Sequence, residues 1–167
     1  MHTLYLLRHA KSSWDDPTLV DHERPLAPRG RRDATRIARH LGRVGVEPGL
    51  VLCSSAARTR ETLELLRPTI DNAAVAIEDE LYAASSDDLL ARLRRVPDAV
   101  ASVMLIGHNP GLHELALVLA SAGRELGRLE EKFPTAALAT LALGTTWSGL
   151  APGGSTLAAY VVPKQLR

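Results

Sequence analysis

The chain has 167 residues, 46% of them hydrophobic and 23% charged, with 20 basic against 19 acidic residues and a formal charge of +1. That composition and length suit one soluble globular domain over residues 1–167, able to bury roughly 70% of its unfolded surface without staples. The lone cysteine, Cys53, excludes a disulfide framework or a CxxC site, and no apolar stretch approaches the roughly 20 residues of a membrane span. The first residues carry no signal-peptide pattern, so a cytoplasmic protein that does not engage membranes is expected.

In chain order, Leu4, Tyr5, Leu6 and Leu7 form a short apolar run ended by polar residues, the pattern of a buried strand. From Gly30 the period becomes helical, with Ala34, Ile37, Ala38, Leu41 and Val44 on one stripe and Arg32, Arg36, Arg39 and Arg43 on another, before Gly45 as a C-cap. Leu50, Val51, Leu52 and Cys53 read as a second strand. Thr59, Thr62, Leu63 and Leu66 then have helical spacing until Pro68. Val75, Ala76 and Ile77 are a weaker third strand, followed by a helix capped at Ser86 or Asp87 and carrying Leu89, Leu90 and Leu93. Val103, Met104, Leu105 and Ile106 form the clearest strand, and a helix follows from Gly111. The last forty residues read as two closing strands around a Gly/Pro loop, although residues 136–143 are Ala-rich enough for a helix. Strands alternating with helices predict an α/β fold with a mainly parallel central sheet, helices on both faces and no large cap insertion.

In such a sheet, ligands bind beyond the carboxyl ends of the strands. The first exit holds Arg8, His9, Ala10, Lys11 and Ser12, the second runs from Ser54 through Arg58 to Arg60, and the fourth holds Gly107, His108, Asn109 and Pro110. Two imidazoles and two guanidinium forks from distant segments thus converge on one edge. Arg8 and Arg58 can each give two hydrogen bonds to a phosphate. One imidazole can attack phosphorus while the other stabilises the charge that develops on oxygen. Asn109 and Pro110 look like the N-cap and first residue of a helix whose positive end would face the same point, which places Asn109 among the phosphate ligands. The guanidinium charge makes a metal unnecessary, and no cofactor is implied.

These residues carry a family resemblance. Leu7-Arg8-His9-Ala10 resembles the Arg-His-Gly signature of the histidine phosphatase superfamily, which includes phosphoglycerate mutases and acid phosphatases. Asp21-His22-Glu23-Arg24-Pro25-Leu26, Ser54 through Thr62, Gly107-His108-Asn109-Pro110 and Lys132 through Ala137 are similar to its small SixA-type phosphohistidine phosphatase branch. The resemblance implies a phosphoglycerate mutase-like fold, with His9 as the nucleophile of a covalent phosphohistidine intermediate. It also implies a phosphate pocket completed by Arg8, Arg58 and His108, with Arg24 a further phosphate or substrate contact. Ala10 stands where the family usually has Gly. Relatives use a carboxylate after the third strand as general acid, and Glu80 is the nearest match, with Asp21 and Glu23 as rivals.

The expected activity is metal-independent hydrolysis of a phosphohistidine protein or another phosphorylated substrate. The alternatives are a broad small-molecule phosphomonoesterase, a phosphoglycerate mutase-like enzyme, or a non-catalytic phosphohistidine- or nucleic-acid-binding module. Only residues 12–29 form a sizeable open segment, which favours an exposed pocket able to admit a side chain of another protein. A cysteine phosphatase would need five residues between Cys53 and Arg58, where there are four. A metallohydrolase lacks an HExxH pair, because His108 and His113 stand five apart. An Arg-bearing helix without an aromatic platform supports nucleic-acid binding poorly, so that partner is not expected. A monomer or weak oligomer is expected.

Overall fold

The computed structural model describes residues 1–166. Its elements in chain order are β1 (His2–Arg8), α1 (Pro28–Val44), β2 (Leu50–Ser54), α2 (Ala57–Leu66), β3 (Ala74–Glu78), α3 (Ser86–Arg94) and β4 (Ser102–Gly107). They continue with α4 (Gly111–Leu119), β5 (Ala120–Ala122), α5 (Leu126–Glu131), β6 (Leu138–Leu143) and β7 (Ser155–Val161). The seven strands form one sheet in the order β3-β2-β4-β1-β6-β7-β5. β3, β2, β4 and β1 run parallel, β6 is antiparallel to both β1 and β7, and β5 lies parallel to β7 at the edge. The mainly parallel α/β architecture read from the sequence is the one observed.

Alternation along the strands divides the core into two layers, because successive side chains leave opposite faces of a sheet. Leu4, Leu6, Leu52, Val103 and Leu105 pack with Leu90 and Leu93 of α3 and Leu112 and Leu115 of α4. Leu7, Val51, Cys53, Met104 and Ile106 pack with Ile37 and Leu41 of α1 and Leu63 and Leu66 of α2. These interior strands are apolar on both faces, as a doubly covered parallel sheet requires.

The closing segment that could have been helical is β6 paired with β7, as the Gly/Pro loop between them implied. Gly45 caps α1 in the left-handed conformation. Two expected caps move. α3 is capped by Ser85, not Ser86 or Asp87, because Ser85 and Asp88 bond reciprocally to each other's backbone amides. α4 begins at Gly111 with Pro110 in the cap position, and the Asn109 amide is spent on the carbonyl of Phe133. β5 and α5 carried too few residues for a periodic signal.

Candidate active site

The exits of β1, β2 and β4 lie side by side, and the backbone of the β1 exit is pinned from every direction. The His9 amide donates to Gly107 O, Arg8 N to Ala137 O and Ala10 N to Thr62 Oγ1, while the Ala136 amide is shared between Arg8 O and His9 O. Ala136 accepts a left-handed φ of 61° to do so, a conformation that costs a non-glycine residue on the order of 1–3 kcal/mol. Thr62 in turn bonds Arg58 O, tying the loop that carries His9 to α2.

His9 is 6% exposed and its Nδ1–H donates to the Ala10 carbonyl at 2.7 Å. That bond fixes the tautomer and leaves the Nε2 lone pair with no protein partner among the described residues. Burial lowers the His9 pKa to about 3, so the ring is neutral at pH 7. The His108 ring stands 5.2 Å from it, centroid to centroid. Its Nε2 meets Ser54 Oγ at 2.8 Å, and Ser54 Oγ itself accepts from the Ala56 amide. His108 Nδ1 is buried and has no protein partner among the described residues. Burial, then the charge of Arg58, lowers the His108 pKa to about 4.

Two cations flank the rings. Arg8 donates from Nη1 to Phe133 O, while its buried Nε has no protein partner among the described residues. Burial and the neighbouring Arg58 charge both depress its pKa. Arg58, 8% exposed, donates to the Asp21 backbone O at 2.9 Å and to Asp21 Oδ2 at 3.0 Å. Two guanidinium groups near enough for one charge to act on the other, with N–H donors to spare, favour an anion between them. Asn109 joins them from the β4 exit, its Nδ2 on the same Phe133 O that binds Arg8.

A cavity of about 440 Å³ opens beside these groups, walled by Asp21, Arg58, Tyr82, His108, Asn109, the α4 start and Glu114. His9 is not among the residues lining this cavity; its ring adjoins that of His108, which is. The α4 start can approach because residue 111 is glycine: a Cβ there would stand 2.3 Å from Ala84 O. Gly30 plays the same part beside the β1 exit, since a Cβ there would stand 2.1 Å from Lys11 O.

The carboxylates are placed differently from the sequence expectation. Glu80 is not brought to the cavity: its carboxylate pairs with Arg95 at 3.0 Å and Arg92 at 3.7 Å, both at the C-terminal end of α3. The attraction of these two cations turns it toward that helix. Glu23 pairs with His22. Asp21 does line the cavity, but the Tyr82 hydroxyl, then Arg24 and Arg58, hold its carboxyl well below the usual range, so it is an ionised anchor. Arg24 is 6% exposed and spends donors on Ser12 Oγ, Ser13 O and Asp21 Oδ1, beneath the Trp14 ring. It braces the loop that carries Asp21 rather than walling the cavity. Tyr82 and Glu114 carried no sequence signal separable from their helical neighbours.

The rival sites look different in three dimensions. Cys53 is fully buried and its thiol is pushed up to about 12 by that burial, which removes it as a nucleophile. His113 turns away to Leu129 O. Among the described residues no three His, Cys, Asp or Glu side chains gather as a metal-ligand set, and no helix is long and apolar enough to cross a membrane.

The chain is similar to several known proteins. An uncharacterised protein of Mycobacterium tuberculosis is 37% identical over 162 residues, covering 95% of this chain and all of the relative. A candidate SixA phosphohistidine phosphatase from Nakamurella multipartitia superposes with a TM-score of 0.83 at 33% identity, over 97% of this chain and 96% of its own. The protein histidine phosphatase SixA in complex with tungstate superposes at 0.80 and 26% identity, over 99% of each chain. The family model for the histidine phosphatase superfamily, branch 1, matches residues 4–89, the span from β1 into α3 that holds Arg8, His9 and Arg58. With that match, the two imidazoles and the paired guanidinium groups at the strand exits, the chain belongs to the histidine phosphatase superfamily.

Proposed function

We propose that this protein hydrolyses phosphohistidine on another protein through a phosphorylated His9. The observation that carries the reading is the state of the His9 ring: neutral, its Nδ1–H tied to Ala10 O, its Nε2 lone pair uncommitted, with Arg8, Arg58 and His108 around it. Nε2 attacks phosphorus, a new N–P bond forms, and the bond to the substrate nitrogen breaks. Arg8 Nε, and His108 Nδ1 in the tautomer in which Ser54 donates to Nε2, are unspent donors for the oxygens that gain charge in the transition state. Water then attacks the phosphoryl group, releasing phosphate and restoring His9. The tungstate bound by the related SixA is a tetrahedral oxyanion of the same shape as phosphate, which supports this use of the pocket.

The leaving group decides between substrates. An alkoxide needs a proton from a general acid, and Glu80 is committed to Arg92 and Arg95 while Asp21 is held ionised. An imidazole whose second nitrogen already bears a proton departs neutral, with no acid. That asymmetry favours phosphohistidine over phosphate monoesters and over mutase chemistry. The guanidinium groups supply the charge a metal would otherwise provide.

Wild type and His9→Ala assayed with EDTA on p-nitrophenyl phosphate and on a phosphohistidine protein test the mechanism. The wild type should turn over both, the phosphoprotein faster, and the variant should lose about a thousandfold or more in kcat. Undiminished activity in His9→Ala, or abolition of wild-type activity by the chelator, overturns it.

A further inference from the structure

A second, larger groove of about 760 Å³ opens on the same edge of the sheet, on the β6 and β7 side of the β1 exit. One wall is α1, contributing Arg29, Arg36 and Arg39, and the other is Lys132, ahead of β6, with Lys164, after β7. Among the described residues five cations face a single carboxylate, Asp33, which is 5% exposed and already shared between Arg36 at 3.0 Å and Arg29 at 3.7 Å. Arg39, Lys132 and Lys164 are exposed and have no ion-pair partner among the described residues. In a chain whose total charge is +1, this is a local field aimed at an anion.

The groove borders the candidate active site through one segment. Pro134 and Thr135 line it, while their neighbours hold the catalytic loop: Phe133 O accepts from Arg8 and Asn109, and Ala136 N donates to Arg8 O and His9 O. A chain lying in the groove would therefore run alongside a phosphoryl group presented to His9. From Arg29 to Arg39 the helix rises about 15 Å, the length of about five residues of extended peptide.

We infer that the groove docks an acidic stretch of the phosphoprotein whose phosphohistidine reaches His9, an inference that rests on the hydrolase reading above. Carboxylates spaced along an extended peptide match cations spaced along α1, and Pro134, Val162 and Pro163 offer the peptide an apolar floor. Among the described residues no aromatic side chain lines the groove, so they offer no stacking platform of the kind by which proteins hold single-stranded nucleic acid. Such a surface raises association rate and specificity more than affinity, and salt weakens it.

Two synthetic peptides, each with one phosphohistidine, one flanked by about five Glu or Asp residues and one by Ser and Gly, test this. The acidic peptide should have about tenfold higher kcat/KM at low ionic strength, and the advantage should collapse near 0.5 M salt. Arg39→Gln/Lys132→Gln/Lys164→Gln, and the charge reversal Arg39→Glu/Lys164→Glu, should erase the advantage while p-nitrophenyl phosphate hydrolysis stays unchanged. Anisotropy of the labelled, unphosphorylated acidic peptide reads docking separately, so an inactive protein that still binds it would fail the hydrolase reading and keep the groove. Equal kcat/KM for both peptides, a preference that survives in both variants, or tighter binding of a single-stranded oligonucleotide of equal charge overturns the inference.

Discussion

At the scale of single residues, both imidazoles of the candidate site are held neutral by burial, with pKa values of about 3 for His9 and about 4 for His108. Phosphoryl transfer from a neutral nucleophile should therefore persist into mild acid, with kcat/KM falling only as pH approaches about 4. The same shifts act against stability there. Below about pH 6.5 the unfolded chain binds protons on these rings that the folded chain refuses, so stability is complete above that pH and declines toward pH 4. For His9 alone the loss between pH 6.5 and 5 is about 2 kcal/mol. Thermal melts should give a lower Tm at pH 5 than at pH 7, and His9→Asn should flatten the difference; a pH-independent wild-type Tm contradicts the neutral, buried His9. Tyr82 acts through Asp21, whose carboxylate it shares with Arg58. Removing one hydrogen bond to a charged group costs about 1.5–3 kcal/mol. Tyr82→Phe should thus lower Tm and, by loosening the Asp21 anchor that holds Arg58, lower kcat/KM about tenfold, mainly through KM for the phosphorylated substrate.

At the scale of elements, the site depends on two helix starts approaching loops more closely than a side chain would allow. Gly111→Ala puts a methyl group 2.3 Å from Ala84 O, so α4 must retreat from the wall it forms with Tyr82. Kinetics should show a large fall in kcat/KM, accompanied by a lower Tm. Ser85→Ala is the contrasting change on the facing wall of the same cavity, next to Ala84, since it trims a hydroxyl and adds no atom to the gap. It removes the N-cap of α3 and should cost about 1 kcal/mol of stability while leaving kcat/KM on p-nitrophenyl phosphate nearly intact. If the two variants had the same kinetic effect, the close approach at Gly111 would not be what shapes the cavity.

At the scale of the molecule, the segment over the site is short. Residues 12–26 cross it, held by the Ser12–Leu26 bridge, by Arg58 on Asp21 and by the Glu61 carboxylate accepting from the Leu26 amide. An anion that binds Arg8 and Arg58 in the folded state alone must stabilise the whole chain, by about 2.7 kcal/mol at a hundredfold excess over Kd. Phosphate or tungstate should therefore raise Tm in a dose-dependent way, and Arg8→Ala should abolish the shift.

The sequence by itself determined the layout. Apolar runs at Leu4, Leu52 and Leu105 marked central strands, helical periods marked the covering layers, and the polar residues at three strand exits marked Arg8, His9, Arg58, His108 and Asn109. Those features are local, written in periodicity and in which residue follows a strand, so one chain read in order reveals them. Tertiary structure decided what depends on residues far apart in the chain. It drew Glu80 away to Arg92 and Arg95, made Asp21 an anchor through Tyr82 some sixty residues on, and moved Arg24 from ligand to brace. It also gathered five of the chain's 20 basic residues from three segments into one groove. Charges act through space rather than along sequence, so their partners are fixed only when the fold has brought them together.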